Sequence, residues 1–203
     1  MKKIILASQS TRRQDLLRQA GIPFIVMPSR FDEDAFVAGM ATPVPPPHLA
    51  LALSMEKARA VAKNVKEPAI IIGADTIVTL DGIVMGKPKD AAEAFAMLKA
   101  LQGVTHHVYT GVTLIDGETK THITRSAAVT MRPLTDSDII AYIKTGEPFD
   151  KAGGYGIQEK GAVLVEKIDG DYYAVVGLPL APLWAALTAC GYDTLGLFEG
   201  SID

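Results

Sequence analysis

The chain has 203 residues, 48% hydrophobic and 21% charged, the balance of an ordinary globular protein, and its length suits one domain or two small lobes sharing a core. A formal net charge of −3 argues against general coating of nucleic acid. The single cysteine, Cys190, excludes an internal disulfide, and with only four scattered histidines it excludes a zinc-finger framework.

In chain order, Lys3–Ala7 reads as a short buried strand. Ser10 is placed to cap a helix over Thr11–Gln19 that Gly21 ends. Pro23–Met27 reads as a second strand, followed by the acidic knot Asp32-Glu33-Asp34 and an extended proline-rich surface segment from Pro43 to Pro47. A helix is expected from about Leu49 to Asn64. The continuous apolar run Ala69–Ala74 reads as a strand buried on both faces and meets Asp75 abruptly. Thr76–Leu80 and Ile83–Met85 flank the turn pair Asp81-Gly82, and Val108–Ile115 and Thr121–Met131 flank Asp116-Gly117, so two hairpins are expected. Between them Asp90–Leu101 has helical spacing of Ala91, Ala94, Phe95, Leu98 and Leu101. Thr135 with Asp138 reads as a capping box opening a helix that Gly146 ends. A polar, glycine-rich stretch covers Glu147–Gly161. Val163–Ile168 and Tyr172–Val176 read as a last strand pair joined at Gly170, and Leu180–Ala189 as the last helix. The sum is an α/β protein with a mixed sheet, read as one domain over residues 1–203.

Met1-Lys2-Lys3 before Ile4–Ala7 imitates a signal peptide, but the apolar run is too short and Arg12 and Arg13 follow. The uncharged run Tyr172–Tyr192 has membrane length but holds Gly177, Pro179, Pro182 and Gly191, so no spanning helix is expected and the cytoplasm is.

Five places stand out for chemistry. Ser8-Gln9-Ser10-Thr11-Arg12-Arg13 joins a buried strand to a helix start and reads either as a capped helix with solvated arginines or as a phosphate site. Asp75, at the expected carboxyl end of a buried strand, either starts a turn or stands at a ligand edge where it can take a proton or hold a cation. Lys57 shares a helical stripe with Leu49, Leu53 and Val61, so it snorkels out or meets an anion. Gly82, Gly86 and Lys87 fall one residue short of a Walker loop and Pro88 replaces its hydroxyl residue, though Lys87 can still reach phosphate. Glu147–Gln158 carries three glycines that permit close backbone approach, and the Gln158 amide has the donor and acceptor that suit a base edge. His106 and His107 are adjacent in a strand and point to opposite faces, and Cys190 reads as core.

As an ordered set these segments resemble the Maf family of nucleotide pyrophosphatases, also described as septum-formation inhibitors. The resemblance is carried by Leu6–Arg13 with Leu16-Leu17, Glu56-Lys57-Ala58, Gly73–Val78, Gly86-Lys87-Pro88, Tyr109–Val112, Gly146–Gly153, Tyr155–Gln158 and Val176–Pro179, across nearly the whole chain. It implies two lobes with a nucleotide cleft between them and hydrolysis of nucleoside triphosphates to the monophosphate and pyrophosphate, with a divalent cation, magnesium or manganese. Asp75 matches the family's proton acceptor. Arg12, Thr76 and Gln158 match the positions of the branch preferring dTTP and UTP. Ser8, Ser10, Arg13, Lys57 and Lys87 are the expected phosphate contacts, and Glu33 with Asp75 the expected cation ligands. A homodimer is implied, with neither nucleic acid nor membrane as partner. Modified uridine triphosphates fit the same edge. A purine substrate such as 7-methyl-GTP, or a nucleotide-binding regulator of division without chemistry, are the rival readings. The sequence departs from the family at Thr11, where proline is usual, at Gly154, often alanine, and over Phe36–His48.

Overall fold

The computed structural model describes residues 2–199. Its elements are β1 (Lys3–Leu6), α1 (Thr11–Gln19), β2 (Ile25–Val26), α2 (Glu33–Ala38), α3 (Pro46–Ala62), β3 (Ala69–Leu80), β4 (Ile83–Met85), α4 (Ala91–Leu101), β5 (Thr105–Asp116), β6 (Thr119–Met131), α5 (Asp136–Ile143), β7 (Val165–Gly170), α6 (Tyr172–Val176), α7 (Leu180–Ala189) and α8 (Gly196–Glu199). Short 3-10 turns cover Glu147–Asp150, Ala152–Gly154 and Lys160–Leu164. The strands pair in the order β2-β1-β3-β5-β6-β7, with β4 paired to β3. β1 runs parallel to β2 and β3, whereas β4 and β7 are antiparallel to their partners, so the sheet is mixed as expected. None of the described helices is long and apolar enough to cross a membrane.

By contacts the chain divides into two units. The first holds residues 2–75, 110–124 and 177–199. Its α1 starts where Ser10 accepts a hydrogen bond from the Arg13 N–H at 3.4 Å, and the exposed Thr11 takes the first helical position without disturbing that cap. Leu16 and Leu17 bury its inner face. On one side of the sheet Ile5, Ala7, Ala58, Val61, Ala69, Ile71 and Ile115 form one apolar cluster. Each large aliphatic side chain buried there contributes roughly 1.5–3 kcal/mol. The helix α3 lies close over β3 and β5 because both strands carry a glycine beneath it. A Cβ on Gly73 would strike the Ser54 carbonyl and lie 2.8 Å from Ala58, and one on Gly111 would lie 2.5 Å from Ala50 and Leu51 backbone atoms.

The second unit holds residues 76–109 and 125–176. Ala94, Leu98 and Leu101 of α4, Ile139 and Tyr142 of α5, and Ala174 and Val176 of α6 are its buried helical residues. The expected capping box is present: Thr135 accepts from the Asp138 N–H at 3.2 Å, and Asp138 accepts from the Thr135 N–H at 2.9 Å. His106 is buried and His107 exposed, as strand alternation requires. The His106 Nε2 meets the Tyr155 hydroxyl at 2.6 Å, while its Nδ1 has no protein partner. Burial, reinforced by the charge of His107, pushes its pKa down to about 4. The folded state therefore keeps it neutral where the unfolded chain takes up a proton. Stability is then complete above the ordinary histidine range and falls as pH drops from about 6.5 towards 4, by about 3 kcal/mol in all. Urea melts at pH 7 and pH 4.5 should show this loss, and His106→Gln, which keeps a partner for Tyr155 but does not titrate, should remove most of it.

Several expectations need correction. Asp75 does not end a strand; β3 runs on to Leu80, because Thr76, Ile77, Val78 and Thr79 favour extended backbone and β4 pairs with them. Only the parallel ladder with β1 stops early, at Leu6 against Ile72. Tyr172–Val176 is helix rather than strand: the Asp171 carboxylate accepts from the Ala174 N–H at 3.2 Å, which caps a helical turn. The last strand is Val165–Gly170, starting late because residues 160–164 coil as a 3-10 turn. The proline-rich segment is extended only to Pro45; Pro46 and Pro47 occupy the first turn of α3, where their missing N–H groups cost nothing. The acidic knot opens the unexpected α2, with Asp32 accepting from the Ala35 N–H at 2.9 Å. The strand expected over Pro23–Met27 shrinks to Ile25–Val26, between two prolines. Cys190 is half-buried at the end of α7, not core.

Candidate active site

Seven of the expected site residues fall in the first unit, where contacts join Ser8, Ser10 and Arg13 in one group and Glu33, Lys57 and Asp75 in another. The chain leaves β1 at Leu6 and turns through Ser8, which is buried. The Ser8 hydroxyl accepts from the Ser10 N–H at 3.2 Å and from Arg13 Nη1 at 3.1 Å. Arg13 Nε donates to the Gly177 carbonyl at 2.9 Å, so the guanidinium is fixed from two sides. Burial lowers its pKa, and the charge of Asp75 opposes that effect. Arg12 is half-buried beside it in the first turn of α1.

Lys57 settles its own ambiguity. It is buried in α3 with Leu49, Leu53 and Val61, and it meets anions rather than snorkelling out. Its ammonium lies 2.5 Å from Asp75 Oδ1 and 2.9 Å from Glu33 Oε2. Helix α3, strand β3 and helix α2 thus each send one charged group to the same point. Asp75 is only 8% exposed. Burial raises its carboxyl above the usual range, opposed by the charges of Lys57 and Arg13. A carboxylate so placed is a stronger proton acceptor than an exposed one.

The donor set of Glu33 and Asp75 consists of hard carboxylate oxygens. Magnesium-like cations commonly use one or two carboxylates and complete their shell with phosphate and water, so these residues fit such an ion. Among the described residues no group of three or more His, Cys, Asp or Glu could hold a metal by itself.

The second unit carries Thr76, Lys87 and Gln158. Thr76 follows Asp75 in β3 and therefore points to the other face of that strand. Lys87 is exposed just after β4, next to Gly86, whose carbonyl accepts from the Gly153 N–H at 3.0 Å. Gln158 is exposed in the loop between the second and third 3-10 turns. Gly154, where the family often has alanine, sits at φ +72, a backbone conformation in which an alanine would be strained.

Sequence reasoning missed the Gly177 carbonyl that anchors Arg13, since a backbone acceptor leaves no residue-type signal. It also missed the buried Lys151 and the carboxylate of Glu147, although both lie in a stretch marked by its glycines and charges.

A buried lysine between two carboxylates, in the same unit as an arginine fixed by Ser8 and Gly177, marks an α/β protein with a prearranged charged site. The chain belongs to the Maf family: residues 3–190 match the family described as Maf-like protein. It is 50% identical to a dTTP/UTP pyrophosphatase of Bacillus cytotoxicus over 90% of this chain and 93% of that protein. It is 47% identical to a dTTP/UTP pyrophosphatase of Moorella thermoacetica over 97% and 99%, and 49% identical to one of Symbiobacterium thermophilum over 95% and 96%.

Proposed function

We propose that this chain hydrolyses dTTP and UTP to the monophosphate and pyrophosphate, removing them or modified uridine triphosphates from the nucleotide pool. Similarity to relatives so named over nearly their whole length supports the reaction class. The observation that carries the chemistry is the Lys57 ammonium between Asp75 and Glu33. A triphosphate brings about four negative charges, which isolated surface lysines do not hold in one geometry. Arg13 and Lys57 are held by neighbouring groups and need little reorganisation to face it, Ser8 and Ser10 supply further donors, and Lys87 is carried over as a phosphate contact from the family resemblance. A divalent cation, magnesium or manganese, held by Glu33 and Asp75 when bound, would supply Lewis-acid sharing of the phosphate charge. The Asp75 carboxylate takes a proton from the water that attacks the α phosphorus. The bond from that phosphorus to the bridging oxygen breaks, and pyrophosphate leaves. Lys57 keeps the carboxylate oriented and balances its charge until it receives the proton.

Gln158 reads the O4 and N3–H of uracil or thymine through its amide, and the roles of Arg12 and Thr76 in base choice are carried over from the family resemblance. Gln158→Ala should lower the preference for dTTP over ATP about tenfold, the worth of one or two neutral hydrogen bonds, with less effect on pyrophosphate affinity. Pyrophosphate release from dTTP, UTP, 5-methyl-UTP, CTP, ATP, GTP and 7-methyl-GTP tests both statements. Release mainly from a purine would keep the reaction and overturn the pocket, and binding without release would favour a regulator. A homodimer and a cytoplasmic location belong to the same proposal and rest on the sequence resemblance.

A further inference from the structure

The loop bearing Gln158 is tied down from below by groups with no other evident task, all in the second unit. The Glu147 carboxylate accepts from two backbone N–H groups, Lys160 through Oε1 and Gly161 through Oε2, each at 3.2 Å. Its own carbonyl accepts from Lys151 Nζ at 2.8 Å. Lys151 is only 7% exposed and also donates to Asp150 at 2.8 Å. The Lys151 stem fills the space beneath Gly156: a Cβ there would lie 2.6 Å from Lys151 Cε. The Tyr142 hydroxyl accepts from the Gly156 N–H at 3.1 Å. A Cβ on Gly161 would strike the Gly156 carbonyl and lie 2.7 Å from the same hydroxyl. Gly156 and Gly161 are therefore pinched together, and residues 157–160 form a closed loop with Ile157 buried and Gln158 exposed.

A four-residue loop with a glycine at each foot would otherwise wander. Fixing backbone costs about 1–2 kcal/mol per residue, and a side chain that reads a base must be held to within about 0.5 Å. Ordering the loop before the nucleotide arrives removes that cost from binding.

We infer that Glu147 is a positioning residue for base selection: its carboxylate holds the Lys160 and Gly161 N–H groups and thereby presents Gln158 to the base. The inference rests on the base-reading role of Gln158. The role assigned to the Glu147 carboxylate is exerted through the loop backbone that it holds, and requires no contact with the nucleotide.

The test is a double-mutant cycle on kcat/KM for dTTP and ATP, using Glu147→Ala, Gln158→Ala and the double variant, with amide hydrogen exchange of residues 157–161. Glu147→Ala should lose about tenfold in the dTTP over ATP ratio, mainly through KM for dTTP. Its Lys160 and Gly161 amides should exchange faster, and the double variant should select no worse than Gln158→Ala alone. Glu147→Gln, which keeps one acceptor and the shape, should recover part of the ratio, and it replaces the alanine variant if that one does not fold. A ratio unchanged by Glu147→Ala but lowered by Gln158→Ala would overturn the positioning role, as would additive losses in the double variant. If Gln158→Ala itself leaves the ratio unchanged, the base-reading role fails first and the positioning role falls with it.

Discussion

Asp75→Asn should abolish pyrophosphate release from dTTP and UTP while leaving the protein folded. Asparagine has the same shape and keeps an oxygen for Lys57, whose second carboxylate, Glu33 at 2.9 Å, stays in place. What is lost is the group that receives the proton from water, worth about 10²–10⁴-fold by itself. The stability side follows from burial. The Asp75 carboxyl titrates above its unfolded value, so the native state holds its proton to higher pH than the unfolded chain does. Ionising it therefore costs stability as pH rises through that window, and removing the charge should not lower the melting temperature at neutral pH. Turnover near that of the parent protein, in a variant that melts normally, would remove Asp75 from the mechanism.

Gly111→Ala should produce the largest loss of stability from the smallest change of side chain. The new Cβ would sit 2.5 Å from the Ala50 carbon and the Leu51 nitrogen, inside the backbone of α3. No rotamer relieves that contact, so helix and strand must separate. Overpacking of this kind costs about 1–3 kcal/mol and more where backbone must move. Gly73→Ala should behave alike, because its Cβ meets Ser54 and Ala58 of the same helix. Gly86→Ala, with no atom within 4 Å of the added Cβ, should stay within about 0.5 kcal/mol in the same urea titrations. Equal midpoints for the Gly111 and Gly86 variants would refute the account of why α3 lies so close. Displacing α3 also displaces Lys57, so the Gly111 variant should lose activity at temperatures where it remains folded.

Elements with local punctuation were legible in the sequence. Ser10 and Gly21 bracketed α1, and the Thr135 and Asp138 pair opened α5. Asp81 and Gly82, both with positive φ, formed the turn that their residue types suggest. Elements decided by packing or by one side-chain bond were not. Helix α2 buries no residue and shows no apolar periodicity, so only the Asp32 cap marks it. The valines of Tyr172–Val176 favour strand, and the Asp171 cap overrides them. The site divides the same way. The stripe position of Lys57 was visible because helical spacing is local, whereas its partners come from β3 and α2, far along the chain. Glu33 entered only through the family resemblance, and the Glu147 and Lys151 contacts span a loop whose closure no local rule predicts.

The two ends of the sheet bear on how this protein behaves when crowded. At one end stands β2, only two residues long, with Pro23 shortly before it and Pro28 shortly after. At the other stands β7, whose exposed Glu166, Lys167 and Asp169 place charge along the open ladder. A short, proline-flanked border and a charged one are both poor templates for a strand from another chain. The apolar interior strands β1 and β3 are thereby shielded at those two borders, so any intermolecular sheet formed at high concentration should start instead at the three-residue strand β4, where Ile83 and Val84 are exposed.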